Sequence, residues 1–149
     1  ARALKLGADV PACVRSEMAV GRGVGEELAP LENDLAGTPV LLVNPRIALS
    51  TGPVFAAWDG FDRGPLPQGS ARDIALNGRN DLEAPAISIC PAIDQVLRAL
   101  GATSPLLARM SGSGATCFAL YEDAELRDAA EREIAVRQPG WWRMASVLR

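Results

Sequence analysis

The chain has 149 residues, 48% of them hydrophobic and 22% charged, the balance of a globular domain with a sizeable core. A formal net charge of -3 argues against a nucleic-acid binder, and no apolar run approaches the roughly 18–20 residues that span a bilayer. With no histidine, the chain offers neither Ser-His-Asp nor Cys-His catalysis and no His-based zinc site.

ARALKLGADV is too short in apolar length for a signal peptide and opens in what reads as the end of a helix. That opening suggests a fragment. Gly7 suits a helix C-cap, and Asp9 with Pro11 reads as a turn or a helix start. MAVGRGVGEELAPL predicts two short strands joined at GRGVG, and LENDLAGTP (31–39) is a loop by composition, placed here as a lobe boundary. PVLLVNP, an apolar run bounded by prolines, predicts a buried strand. Ser50 or Thr51 then caps a helix in which Val54, Phe55 and Trp58 recur at helical spacing. DGFDRGPLPQGS is a surface loop.

NGRNDLEAPAISICPAIDQVLRALG predicts two helical stretches. In the second, Pro91 sits in the first turn, Ile93, Val96, Leu97 and Leu100 share a face, and Gly101 ends the helix. ATSPLLARMSGSG is a connector, ATCFALY a strand, EDAELRDAAEREIAVRQPG a helix with acids in its first turn, and WWRMASVLR a last strand. From Pro39 the order is strand, helix, helix, helix, strand, helix, strand. That order predicts an α+β fold with helices on one face of a small sheet. Trp58, Trp141 and Trp142 add apolar bulk to its core.

Three features carry candidate chemistry. RMSGSGAT (109–116) has closely spaced glycines, which either make a flexible turn or let backbone amides approach an anion. It lacks GxxxxGK[ST] and is no P-loop. Asp9, in GADVP, is either a helix cap or a general base that takes or orients a hydroxyl proton. GRGVGE lacks the strand and helix of a dinucleotide fingerprint and reads as a hairpin corner. In GRNDLE, Asn80 and Glu83 have the spacing of a capping box. The cysteines, Cys13, Cys90 and Cys117, show no CxxC spacing and read as buried, reduced thiols of a cytoplasmic protein. The chain's one lysine, Lys5, reads as a solvated side chain.

LGADVP, GRGVGEEL, LLVNPRIALSTGPVF, NDLE and RMSGSGATCFALY, in this order, resemble the second half of the GHMP kinases, in the branch acting on 4-diphosphocytidyl-2-C-methyl-D-erythritol. The resemblance covers nearly the whole chain, although the last helix and strand add only topology. It implies a ferredoxin-like C-terminal domain over residues 38–149, preceded by the tail of the ATP-binding N-terminal lobe over residues 1–37. It implies phosphorylation of the substrate's 2-hydroxyl in non-mevalonate isoprenoid precursor synthesis, with ATP and Mg²⁺ as cofactors and no metal ligand in this chain. By resemblance, Asp9 is the catalytic aspartate, and Thr51 and Phe55 line the cytidyl pocket. Ser111, Gly112, Ser113 and Gly114 form the glycine loop over the phosphates, where a side chain at Gly112 or Gly114 should harm catalysis and, at Gly114, largely spare stability. Gly52 stands where some relatives carry proline. The family's ATP loop, of the form PxxAGLGGGSSDAA, and its catalytic lysine belong to the first half, so this chain alone should be inactive. Another GHMP small-molecule kinase is the nearer alternative. A non-catalytic ferredoxin-like ligand-binding module is the alternative from another class, and would need neither Asp9 nor the strand pair before Pro39.

Overall fold

The computed structural model describes residues 10–23, 25 and 27–149. Asp9, Lys5 and the helical pattern before them lie outside the described residues. A short helix, α1 (Val10–Arg15), leads into an antiparallel hairpin of β1 (Ala19–Arg22) and β2 (Glu27–Pro30), which form a two-stranded sheet of their own. Its corner follows the glycines. Gly23 and Gly25 take φ of 66° and 101°, and the Gly25 N–H donates to the Arg22 carbonyl at 3.0 Å.

After a loop anchored by buried Leu35, the chain enters β3 (Pro39–Asn44). Four helices follow: α2 (Thr51–Ala56), α3 (Ala71–Asn77), α4 (Glu83–Ile89) and α5 (Ala92–Gly101). The chain then runs through β4 (Leu107–Met110), β5 (Cys117–Leu120), α6 (Ala124–Arg137) and β6 (Trp142–Val147). The four later strands make one antiparallel sheet in the order β4-β5-β3-β6.

β3 reads as a continuous apolar run because it is central, paired with β5 on one side and β6 on the other. Its register sets Leu41 opposite Ala119 and Val43 opposite Cys117, and all four are fully buried. Over them lie Ile93, Val96 and Leu100 of α5 and Ala130 and Ile134 of α6, all in one core cluster. The stripe predicted on the second helical stretch is therefore the face that meets the sheet. Burying each of Ile93, Val96 and Leu100 contributes about 1.5–3 kcal/mol. Asp123 caps α6, its carboxylate accepting from the Leu126 N–H at 2.8 Å.

Two elements were not expected. α3 occupies a stretch between the Pro/Gly loop and NDLE, and β4 occupies what reads as a connector. Two core expectations are also corrected. Trp141 packs against the core, but Trp58 and Trp142 remain more than a third exposed. Cys90 and Cys117 are buried as expected, whereas Cys13, on the short α1, is exposed.

Candidate functional site around the glycine loop

The glycine loop is the connection of the β4–β5 hairpin. It closes through the Ser111 N–H to the Thr116 carbonyl at 2.9 Å and the Gly114 N–H to the Ser111 carbonyl at 3.0 Å. Gly112 and Gly114 both take positive φ, 55° and 89°, where side chains are disfavoured. Their surroundings differ. Space beside Gly112 is open within 4 Å. A β-carbon on Gly114 would meet Met110 Sδ at 2.8 Å, Ile93 Cδ1 at 3.2 Å and Leu49 Cδ2 at 3.3 Å. Gly114 thus lies against the core, and this contact argues that a side chain there would cost stability as well as activity.

Three elements hold the loop. From α2, the Thr51 hydroxyl shares a 3.0 Å hydrogen bond with the Ser113 hydroxyl. From the end of β3, the Asn44 amide donates to Thr116 Oγ1 at 2.9 Å, while Asn44 Oδ1 accepts from the Arg46 N–H at 2.7 Å. From the turn before α4, the Asn80 amide donates to the carbonyls of Met110 at 3.0 Å and Gly112 at 2.8 Å. Glu83 Oε2 accepts from the Met110 N–H at 3.2 Å. Asn80 and Glu83 are therefore not the capping box their spacing suggests. The N-cap of α4 is Leu82, which makes no side-chain cap. The two polar side chains are spent on the loop instead.

Thr51, Ser111, Gly112, Ser113 and Gly114 thus form one surface. Phe55 stands four residues after Thr51, on the same face of α2, and is 55% exposed. A large apolar ring left in solvent beside a polar loop is available to stack on a flat ligand. The N–H groups of Gly112 and Ser113 donate to no acceptor among the described residues. Open amides at a glycine turn can take an anion. Asp9 lies outside the described residues, so its distance to this surface is not part of the geometry.

The family profile described as "GHMP kinases C terminal" matches residues 67–137, a span that includes α4, α5 and the whole glycine loop. The 4-diphosphocytidyl-2-C-methyl-D-erythritol kinase of Erythrobacter litoralis is 62% identical over 99% of this chain and 55% of its own length. The kinase of the same name from Novosphingobium aromaticivorans is 62% identical over 100% of this chain and 51% of its own. The chain carries the GHMP kinase C-terminal domain. It spans about half the length of the curated relatives it matches.

Solved structures share this fold. A crystal structure of 4-(cytidine 5'-diphospho)-2C-methyl-D-erythritol kinase matches 95% of the chain with a TM-score of 0.75 at 28% identity, over 54% of its own length. Homoserine kinase from Cytophaga hutchinsonii matches 94% with a TM-score of 0.65 at 16% identity, which speaks for the fold alone. The expected GHMP C-terminal α+β domain is the fold observed.

Within this GHMP domain, the electrostatics under the loop are those of a packed corner. Burial lowers the Arg109 guanidinium from its usual range, and the Glu83 carboxylate opposes that shift. Burial pushes the Cys117 thiol up to about 12, with Glu83 and Cys90 adding to the effect, so Cys117 is no nucleophile. Among the described residues, no group of three or more His, Cys, Asp or Glu side chains could hold a metal. A cavity of about 860 Å³ lies between the β1–β2 hairpin and the 62–74 segment, and Thr51, Phe55 and the glycine loop are not among its lining residues. No helix among the described residues is long and apolar enough to cross a membrane.

Proposed function

We propose that this chain is the second half of an ATP-dependent kinase that phosphorylates the 2-hydroxyl of 4-diphosphocytidyl-2-C-methyl-D-erythritol. The observation that carries the reading is 62% identity, along the whole chain, to kinases of that name. The loop geometry supports it. The open Gly112 and Ser113 amides suit phosphate oxygens, and exposed Phe55, one turn from Thr51, suits the face of a cytosine ring. ATP supplies the γ-phosphoryl group. The substrate hydroxyl oxygen forms a bond to γ-phosphorus as the bond to the β–γ bridging oxygen breaks, and ADP leaves. In this reading the hydroxyl proton passes to the Asp9 carboxylate, which accepts or orients it.

The division proposed at residues 37 and 38 fits the hairpin's separate two-stranded sheet and a four-stranded sheet that begins at Pro39. A cytoplasmic location fits three unpaired cysteines. The test is an assay of the intact enzyme, with ATP and Mg²⁺, on that cytidyl substrate, on mevalonate and on homoserine. Turnover of the cytidyl substrate is expected. Turnover confined to the other two would overturn the assignment.

A further inference from the structure

β4 is an edge strand of the four-stranded sheet, and an edge leaves backbone N–H and C=O groups to be satisfied. Asn80 and Glu83 satisfy those of Met110, the last residue of β4. Glu83 takes the Met110 N–H and Asn80 gives to the Met110 carbonyl, the same two bonds a neighbouring antiparallel strand would exchange. A primary amide carries two N–H donors. The Asn80 amide uses this second capacity on the Gly112 carbonyl, inside the glycine loop. Its oxygen is meanwhile engaged by the Leu82 N–H at 3.1 Å, so the amide nitrogen is the atom turned to the loop.

The consequence lies one atom further along the chain. A trans peptide is planar, with its C=O and N–H pointing in opposite directions. Holding the Gly112 carbonyl on Asn80 therefore directs the Ser113 N–H away from Asn80. That N–H donates to no acceptor among the described residues, and the Ser113 hydroxyl beside it is held by Thr51. Gly112, free of a β-carbon, would otherwise let this peptide rotate readily.

We infer that Asn80, backed by Glu83, is a positioning residue: it fixes the Gly112–Ser113 peptide so that the Ser113 N–H is preset for a phosphate oxygen of a bound substrate. The inference rests on the kinase reading for its ligand, and the phosphate belongs either to ATP or to the cytidyl diphosphate. Preorganised donors act more strongly than donors that must be ordered on binding.

The experiment uses the intact enzyme with Asn80→Asp and Asn80→Ser. Asp keeps the acceptor for the Leu82 N–H but sets an oxygen against two carbonyls. Ser keeps the local turn, introduces no charge, and is too short to reach Gly112. Calorimetric titration with ATP and, separately, with CDP is read beside kcat, KM and melting temperature. Both variants should fold, and each should lose roughly ten- to hundredfold in affinity for one ligand and a similar factor in kcat/KM, the loss expected of one hydrogen bond to a charged group. A loss confined to ATP, or to CDP, identifies which phosphate the Ser113 amide faces. If the folded Ser variant binds both ligands within twofold of wild type, Asn80 is only a turn residue and the inference is overturned. A wild-type enzyme that binds neither ligand overturns the inference and the kinase reading together. One that binds ATP but transfers nothing to the cytidyl substrate overturns the reading of function alone, and the titrations still judge Asn80.

Discussion

Two glycines separated by one residue carry different burdens. Gly112 has open space where a β-carbon would go, so Gly112→Ala meets only the cost of left-handed backbone, about 1–2 kcal/mol. Gly114 adds to that backbone cost a clash with Met110, Ile93 and Leu49, and overpacking of a core typically costs a further ~1–3 kcal/mol. Thermal melts of the two alanine variants should therefore separate, with Gly114→Ala melting well below Gly112→Ala. In the intact enzyme, Gly112→Ala should lower kcat/KM by more than its stability loss explains. Equal melting temperatures would show that the loop has no structural half. The glycine spacing marked the loop in the sequence, but it could not divide the roles. The division comes from Leu49 and Ile93, which lie far from Gly114 along the chain.

Local signals explain which elements were legible. The α5 stripe could be read because its period is helical and its face is wholly apolar, and β3 because one face is buried throughout and the other is at least half-covered. β4 has only four residues, two of them polar or small, and becomes a strand through pairing with β5 rather than through propensity. Asn80 and Glu83 carried a misleading signal. Capping-box spacing is a local pattern, and nothing nearby reveals that both side chains reach 27 to 30 residues along the chain to Met110. α3 had a true local signal that went unread, Ser70 with Asp73 three residues on. Ser70 accepts from the Asp73 N–H at 3.2 Å, and the Asp73 carboxylate accepts from the Ser70 N–H at 3.1 Å. Ser70→Ala should thus cost about 1 kcal/mol of stability, as removal of an N-cap usually does. Urea denaturation should show the midpoint falling with the slope unchanged. An unchanged midpoint would mean that α3 is held by the Arg72 N–H to Asp34 contact at its first turn instead of by its cap.

The whole molecule divides its apolar burial unevenly. Among the described residues, every member of the main core cluster lies at Leu41 or later, so the four-stranded sheet and its helices can close a core without the hairpin. Among the described residues β1 and β2 form only a two-stranded sheet, and such a pair is marginal in water by itself. Its edges are open to pairing with another chain. The 149-residue chain on its own should therefore melt cooperatively through the later domain while the hairpin frays or drives association, visible as a concentration-dependent elution volume. Its nucleotide chemistry should fail for a separate reason. The sequence holds the glycine loop, Thr51 and Phe55, but no stretch like GLGGGSSDAA and only one lysine, Lys5. Phosphoryl transfer depends on positioning and charge stabilisation from all sides of the phosphates, and one wall of donors supplies a fraction of that. Isothermal titration with ATP and Mg²⁺ should give weak binding at most, and a kinase assay on the same sample should give no turnover. Tight binding accompanied by turnover would show that these residues already make a complete site, and the two-lobed reading of the enzyme would have to be given up.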